Sequence, residues 1–314
     1  MKAFLARPYP APVVKAASAH FDVTVREETA PMTAAEVREA LNSFDVVMPT
    51  LRDPLGADAF GQGATKCKLL ANFGVGYDHI DVQAANAVGI AVTNTPGAVT
   101  DATADIAMTL ILMTARRAGE GERLVRDASW DGWHPTQMLG QHVSGKTVGI
   151  LGMGRIGQAI AQRCRLGFGM NVVYYNRSRK SVHGCTQLAT AQDVAKSADV
   201  VVVALSRTPE THHFVDHDIL SAMQPHGFLI NIARGDIIDE TALIDALKAG
   251  SIAGAGLDVY EFEPRVPESL TEMENVVLLP HLGTATLEVR TDMGLLAVEN
   301  MIAFKNGTTP PNLI

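Results

Sequence analysis

The 314-residue chain has only three cysteines, Cys67, Cys164 and Cys185, and no two of them form a C-x-x-C. So sparse and odd a set excludes a disulfide scaffold and fits free thiols in a reduced, cytoplasmic protein. Positive charge is also short: 26 lysines and arginines face 34 aspartates and glutamates, a formal net charge of −8. Nothing here offers nucleic acid a basic surface. An anionic substrate would have to be drawn in by a local positive site. No stretch approaches the roughly 18 apolar residues of a membrane span. Residues 1–9 carry Lys2 and Arg7 but no apolar core, so they do not read as a signal peptide. Short-period repeats and low-complexity linkers are absent too. What the chain does have is 47% hydrophobic residues, ample for a large core and, at this length, for two domains.

The middle of the chain holds Val148-Gly149-Ile150-Leu151-Gly152-Met153-Gly154-Arg155-Ile156-Gly157. Its G-x-G-x-x-G is Gly152, Gly154 and Gly157, with a strand-like run at 147–151 before it and a helical pattern at 158–165 after it. That context makes a weak pattern specific for a dinucleotide. The first glycine permits the tight turn, the second lets backbone approach a pyrophosphate, and the third packs helix on strand. The helix N-terminus then offers free N–H groups to phosphate. About 145 residues precede this motif and must build something else.

Apolar runs at 2–6, 21–25, 44–48, 69–73 and 90–94 read as strands, with a helix at 11–17, so the first 97 residues form one α/β unit. A long apolar helix follows at 102–117, with Asp101 as its expected N-cap. After a loop with Trp130 and Trp133, the glycine motif opens a second α/β unit. Its later strands are expected at 172–175, 200–205, 228–232, 254–257 and 276–279, and a last helix at 287–305. The two tryptophans read as packing or interface residues. His212 and His213 are adjacent, so on a strand they point to opposite faces, and no metal ligand set is expected.

An NAD enzyme of this type closes its second strand with an acid that holds the ribose 2′-OH. Here that strand runs into Asn176-Arg177-Ser178-Arg179-Lys180, with no carboxylate. Two arginines, a lysine, a hydroxyl and an amide suit a 2′-phosphate. NADP is therefore expected over NAD, which stays possible. Arg207 is expected to add positive charge near the same phosphate.

Four more segments place polar residues at strand ends. They are Asn72-Phe73-Gly74-Val75-Gly76-Tyr77-Asp78-His79-Ile80-Asp81, Asn231-Ile232-Ala233-Arg234-Gly235-Asp236, Leu257-Asp258-Val259-Tyr260-Glu261-Phe262-Glu263-Pro264, and Leu279-Pro280-His281-Leu282-Gly283-Thr284-Ala285-Thr286. Together with the glycine motif they resemble the D-isomer-specific 2-hydroxyacid dehydrogenases over nearly the whole chain. The resemblance implies a catalytic set of Arg234, Glu263 and His281, where Glu263 is chosen over Glu261 because it directly precedes Pro264. Arg234 would hold the carboxylate and carbonyl of a 2-keto acid. His281 would serve as general acid–base, with Glu263 fixing its orientation and favouring the imidazolium. Backbone N–H groups at Val75 and Gly76 would cradle the substrate carboxylate.

By the same resemblance Asp258 would contact the nicotinamide carboxamide. The expected cofactor contacts are then Gly152, Gly154, Arg155, Ile156 and Gly157 at the motif, and Asn176, Arg177, Ser178 and Arg179 after the second strand. Ala233, Asp258 and Gly283 complete them. The expected architecture is α/β: two Rossmann-like domains with parallel sheets and a cleft between them. Residues 1–97 and 287–314 would bind substrate and 98–286 the dinucleotide. The Trp-Asp-Gly-Trp-His-Pro loop (130–135) and the ending at 281–286 resemble the glyoxylate/hydroxypyruvate reductase branch. That implies reduction of glyoxylate or hydroxypyruvate by NADPH. Residues 102–133, apolar for an exposed stretch, are the expected interface of a homodimer. Glu263 speaks against the formate dehydrogenases, which carry glutamine there. Phosphite and D-lactate-type dehydrogenases stay open as alternatives, as does a nicotinamide-sensing corepressor.

Overall fold

Five apolar runs become β1 (Lys2–Leu5), β2 (Asp22–Val25), β3 (Val46–Met48), β4 (Leu69–Ala71) and β5 (Ala91–Thr93). The structure is a computed structural model that describes residues 1–61 and 65–314. These strands are all parallel, in the order β2-β1-β3-β4-β5. Every residue of β3 and β4 is buried, as strands covered on both faces require. The expected helix at 11–17 runs Ala11–Ser18 and packs on helix Leu287–Lys305. Gly294 makes that approach possible, because a Cβ there would stand 2.3 Å from Val13 Cγ2. The C-terminal residues then cover the outer edge of β5. Ile314 N–H donates to Val92 O at 2.9 Å and Asn94 N–H to Asn312 O at 3.2 Å. An open edge would invite pairing with another chain.

Seven further strands form a second parallel sheet: β6 (Thr147–Leu151), β7 (Asn171–Tyr175), β8 (Thr186–Gln187), β9 (Val200–Val203), β10 (Phe228–Asn231), β11 (Gly254–Leu257) and β12 (Val276–Leu278). Their order is β12-β11-β10-β9-β6-β7-β8. The chain runs outward from β6 to β7 and β8 and then crosses back to β9 on the other side of β6, so the strand order reverses between β6 and β9, the point at which such sheets bind ligands. Strand β11 reads Gly-Ala-Gly-Leu, poor in β-formers. Its glycines answer to space: a Cβ on Gly254 would lie 2.3 Å from Asn275 O, and one on Gly256 2.8 Å from Thr114 Oγ1.

The chain divides into two units, Met1–Val99 with Ala285–Ile314, and Thr100–Thr284. Each has its own buried apolar clusters. The helix that opens the second unit runs Thr100–Ala115, which corrects two expectations. Asp101 is not its N-cap but lies in the first turn, where its Oδ1 accepts from Arg163 Nη2 at 3.0 Å. The helix also stops before 117, because Arg117 is left-handed at φ 53°. Among the described residues no helix is long and apolar enough to cross a membrane.

Candidate active site

The glycine motif lies where β6 gives way to helix Arg155–Phe168, with Gly154 at the N-cap. Gly152 turns the chain at φ 101°, and a Cβ there would meet Ala204 O at 2.6 Å. A Cβ on Gly157 would fall 2.1 Å from Gly152 O. Gly154 has nothing within 4 Å of where its Cβ would be. The first glycine thus turns, the third packs, and the second leaves open the space a pyrophosphate needs at a helix N-terminus. Arg155 is exposed beside it and Ile156 half-buried.

The turn after β7 is pinned to this loop. Asn176 Oδ1 accepts from Met153 N–H at 3.2 Å, and its Nδ2 donates to Ser178 O at 3.0 Å and Ser178 Oγ at 3.1 Å. Lys180 Nζ donates to Met153 O at 2.9 Å. Gln187 Nε2, in β8, donates to Asn176 O at 3.0 Å. Arg177, Arg179 and Lys180 line an open hollow of about 620 Å³. Arg207 is tied to the next loop: its Nε donates to Asp236 Oδ2 at 2.5 Å.

The chemical end is built from the loops after β10, β11 and β12. Asn231 clamps the first of them, accepting from Ala233 N–H at 3.0 Å and donating to Arg234 O at 2.8 Å. Arg234 is half-buried, and its Nη1 donates to Ala233 O at 2.8 Å. Gly235 lets this loop touch the next one, since a Cβ there would stand 1.8 Å from Tyr260 C.

Asp258 is buried. It accepts from Leu282 N–H at 2.6 Å and Gly283 N–H at 2.8 Å, while its own carbonyl accepts from His281 N–H at 2.9 Å. Burial pushes its carboxyl above the usual range, against the pull of those N–H groups and His281. Thr103 Oγ1 donates to Gly283 O at 3.2 Å and braces the same loop.

Glu263 and His281 meet within this frame. Glu263 Oε2 lies 3.0 Å from His281 Nδ1, and Oε1 accepts from Tyr260 N–H at 3.1 Å. Burial raises the Glu263 carboxyl. The hydrogen bond and charge of His281, the Tyr260 N–H and the charge of Arg234 outweigh it and hold the group below the usual glutamate range. The structure therefore brings Arg234, Glu263 and His281 into one electrostatic unit, with Nε2 as the histidine nitrogen that Glu263 leaves open.

In the first unit, three successive carbonyls at the end of β4 are tied down. Thr95 N–H donates to Gly74 O at 3.1 Å, Asn94 Nδ2 to Val75 O at 3.0 Å and Asn72 Nδ2 to Gly76 O at 3.0 Å. A trans peptide sets each N–H opposite the preceding carbonyl. The N–H groups of Val75, Gly76 and Tyr77 therefore turn away from those tethers, which suits an anion.

Comparison with known proteins places the chain in a family. Residues 108–283 match the family described as D-isomer specific 2-hydroxyacid dehydrogenase, NAD binding domain. Glyoxylate reductase of Thermococcus kodakarensis is 43% identical over 320 residues, covering 100% of this chain and 96% of that enzyme. The chain belongs to the D-isomer specific 2-hydroxyacid dehydrogenase family. Two solved structures share its whole fold. A Thermus thermophilus protein superimposes with a TM-score of 0.93 at 38% identity, with both chains fully covered. An NADPH-dependent glyoxylate/hydroxypyruvate reductase of Sinorhizobium meliloti, in complex with NADP and malonate, gives 0.88 at 36%, covering 100% of this chain and 96% of that one. The protein is thus a dehydrogenase that works with a nicotinamide cofactor.

Some of the dehydrogenase's geometry lay outside the motif reading. Asn231, Tyr260 and Thr103 brace the site through hydrogen bonds. The position of Asn231 at a strand end was the one available signal, since side-chain amides there often clamp the following turn. His212 and His213 do not follow strand alternation. They lie beyond a short 3-10 turn (Pro209–Thr211), and His213 is left-handed at φ 50°. Their rings consequently stack on one side, centroids 4.0 Å apart.

Proposed function

We propose that the enzyme reduces a small 2-keto acid, glyoxylate or hydroxypyruvate, to the 2-hydroxy acid, with NADPH as the preferred reductant. The observation that carries this reading is the hydrogen-bonded Glu263–His281 pair within the field of Arg234. A nicotinamide cofactor held at the glycine loop would supply the hydride for the carbonyl carbon. His281 Nε2 gives a proton to the carbonyl oxygen as negative charge builds there. Glu263 keeps the ring turned through Nδ1 and offsets the imidazolium charge before transfer. Arg234, as a fork of donors, holds the carboxylate and polarises the carbonyl. Val75 and Gly76 N–H groups are assigned to the substrate carboxylate. Asp258 holds the loop of His281 and is offered to the nicotinamide carboxamide, and Ala233 and Gly283 to the same half of the cofactor.

The preference for NADPH is drawn from the turn after β7. Asn176 stands where an acid would repel a 2′-phosphate, and Arg177, Ser178 and Arg179 are exposed around it. Both relatives named for a substrate reduce glyoxylate by name, and one is NADPH-dependent by name. We also assign residues 102–133 to a homodimer interface, since Trp130 and Trp133 are 53% and 79% exposed and large apolar surface seeks a partner.

The test is a substrate panel: glyoxylate, hydroxypyruvate and pyruvate with NADPH and with NADH, and phosphite with NADP⁺ and with NAD⁺. Expected is NADPH oxidation with glyoxylate or hydroxypyruvate, with kcat/KM at least about tenfold above that for NADH, equivalent to ~1.4 kcal/mol. A strong NADH preference overturns the cofactor assignment. Turnover of pyruvate or phosphite alone overturns the substrate assignment.

A further inference from the structure

We propose that His212, His213 and Glu261 form a binding site for a divalent transition metal of the Zn²⁺ type, separate from the Glu263–His281 pair. The site begins with the backbone. Side chains on an extended chain alternate, so neighbouring histidines diverge. Here the left-handed conformation of His213 brings the two rings together, 4.0 Å apart and 23° from parallel. Non-glycine residues rarely adopt that conformation unless their surroundings hold them there. His213 is held by its N–H, which donates to Asp236 O at 2.8 Å, and by its ring, whose Nε2 lies 2.9 Å from Glu261 Oε1.

Glu261 is fixed in turn. Its N–H donates to Glu240 Oε2 at 3.3 Å, and Gly235 packs against its backbone nitrogen. Glu240 is itself buried, and burial pushes its carboxyl above the usual glutamate range. One ligand atom from each of His212, His213 and Glu261 lies within 4.8 Å of the others. In a tetrahedral site with bonds of about 2.0–2.1 Å, ligand atoms stand about 3.3 Å apart. The His213–Glu261 pair is already that close. His212 is exposed and has at most about 1.5 Å to travel, which side-chain rotation supplies.

Two imidazoles and a carboxylate favour Zn²⁺, Co²⁺, Ni²⁺ or Cu²⁺ over Mg²⁺ or Ca²⁺, which prefer all-oxygen shells. Three protein ligands leave a fourth position for water or an outside ligand. Metal there replaces the His213 Nε2–Glu261 Oε1 hydrogen bond, the neutral ring carrying its one proton on Nδ1. It clamps the segment after the Pro209–Thr211 turn to the loop that carries Glu263 two residues later.

The experiment is calorimetric titration of the full-length enzyme with ZnCl₂, with Tm followed in parallel. Wild type should take up one Zn²⁺ per chain at this site and gain Tm. H212N, H213N and E261Q should each weaken that uptake by at least about tenfold, the low end of what losing even an indirect support of a metal ligand does. Asparagine is chosen at 213 because it tolerates the left-handed backbone. H212N alters only an exposed side chain, and far-UV circular dichroism confirms that each variant is folded. H281N, which removes the histidine paired with Glu263, should keep the site. No Zn²⁺ uptake by wild type, uptake unchanged in the H212N/H213N double variant, or uptake lost in H281N alone would overturn the proposal.

Discussion

Glu263 has both oxygens engaged, one by Tyr260 N–H and one by His281 Nδ1, so Nε2 is the ring nitrogen that Glu263 does not take up. On the proposed mechanism His281→Ala removes the proton donor and should lower kcat by roughly 10²–10⁴ while cofactor affinity stays near wild type. Single-turnover kinetics with fluorescence titration of the cofactor would measure both. Glu263 also couples stability to pH. Its folded pKa lies below the ordinary value of about 4.3, so its contribution is complete above that value and is lost as pH falls through the folded one. Wild type should therefore lose more Tm between about pH 6 and about pH 3 than Glu263→Gln, which has no carboxyl to titrate there. Equal losses would contradict the assignment. Asn176→Asp tests the cofactor turn. An aspartate keeps the acceptor for Met153 N–H but brings a negative charge toward a 2′-phosphate, so kcat/KM for NADPH should drop at least about tenfold relative to NADH.

Loops at strand ends carry the site, and their spacing depends on contacts that a motif does not advertise. Gly235 is the sharpest of these. Any Cβ there enters the backbone of Tyr260 and Glu261, so Gly235→Ala must part the loop of Arg234 from the loop of Glu263. A displacement of about 1 Å can cost about 10²-fold in rate, and kcat/KM for the keto acid should fall on that scale with the protein still folded. The strands were legible in the sequence because buried parallel strands read as apolar runs: β6, β9 and β10 lie within or at the expected runs. Even β11, with two glycines in four residues, was legible from its place in the alternation. Less legible were the short helices. Ala34–Ser43 has a full capping box, Thr33 with Glu36, but its apolar stripe of Val37, Ala40 and Leu41 is brief. Among candidate site residues, the glycine motif was legible from its spacing between a strand and a helix, while Arg234, Glu263 and His281 were named through the family resemblance. The left-handed turn of His213, the Arg207–Asp236 bond and the in-turn position of Asp101 did not, because each depends on partners distant in sequence or on a backbone conformation that residue type alone does not encode.

At the scale of the whole molecule, the candidate catalytic side chains and the glycine loop all belong to the unit Thr100–Thr284. A dinucleotide bound there should stabilise that unit by mass action, about 2.7 kcal/mol at a hundredfold excess over Kd. Hydrogen exchange with NADPH present should slow most at the carboxyl ends of β6, β7 and β9, and less across β1 to β5; uniform protection would argue against a site confined to that sheet. The tethered carbonyls of Gly74, Val75 and Gly76 have a consequence of another kind. Amide N–H groups neither gain nor lose protons over the range in which enzymes work. On the proposed reading, the grip on the substrate carboxylate at 75–76 is therefore blind to acidity, and any acid or alkaline limb in KM originates in ionisable groups elsewhere, such as those of the 100–284 unit. The chain would then keep its acidity-sensing parts and its acidity-blind parts on separate sheets, free to be tuned one without the other.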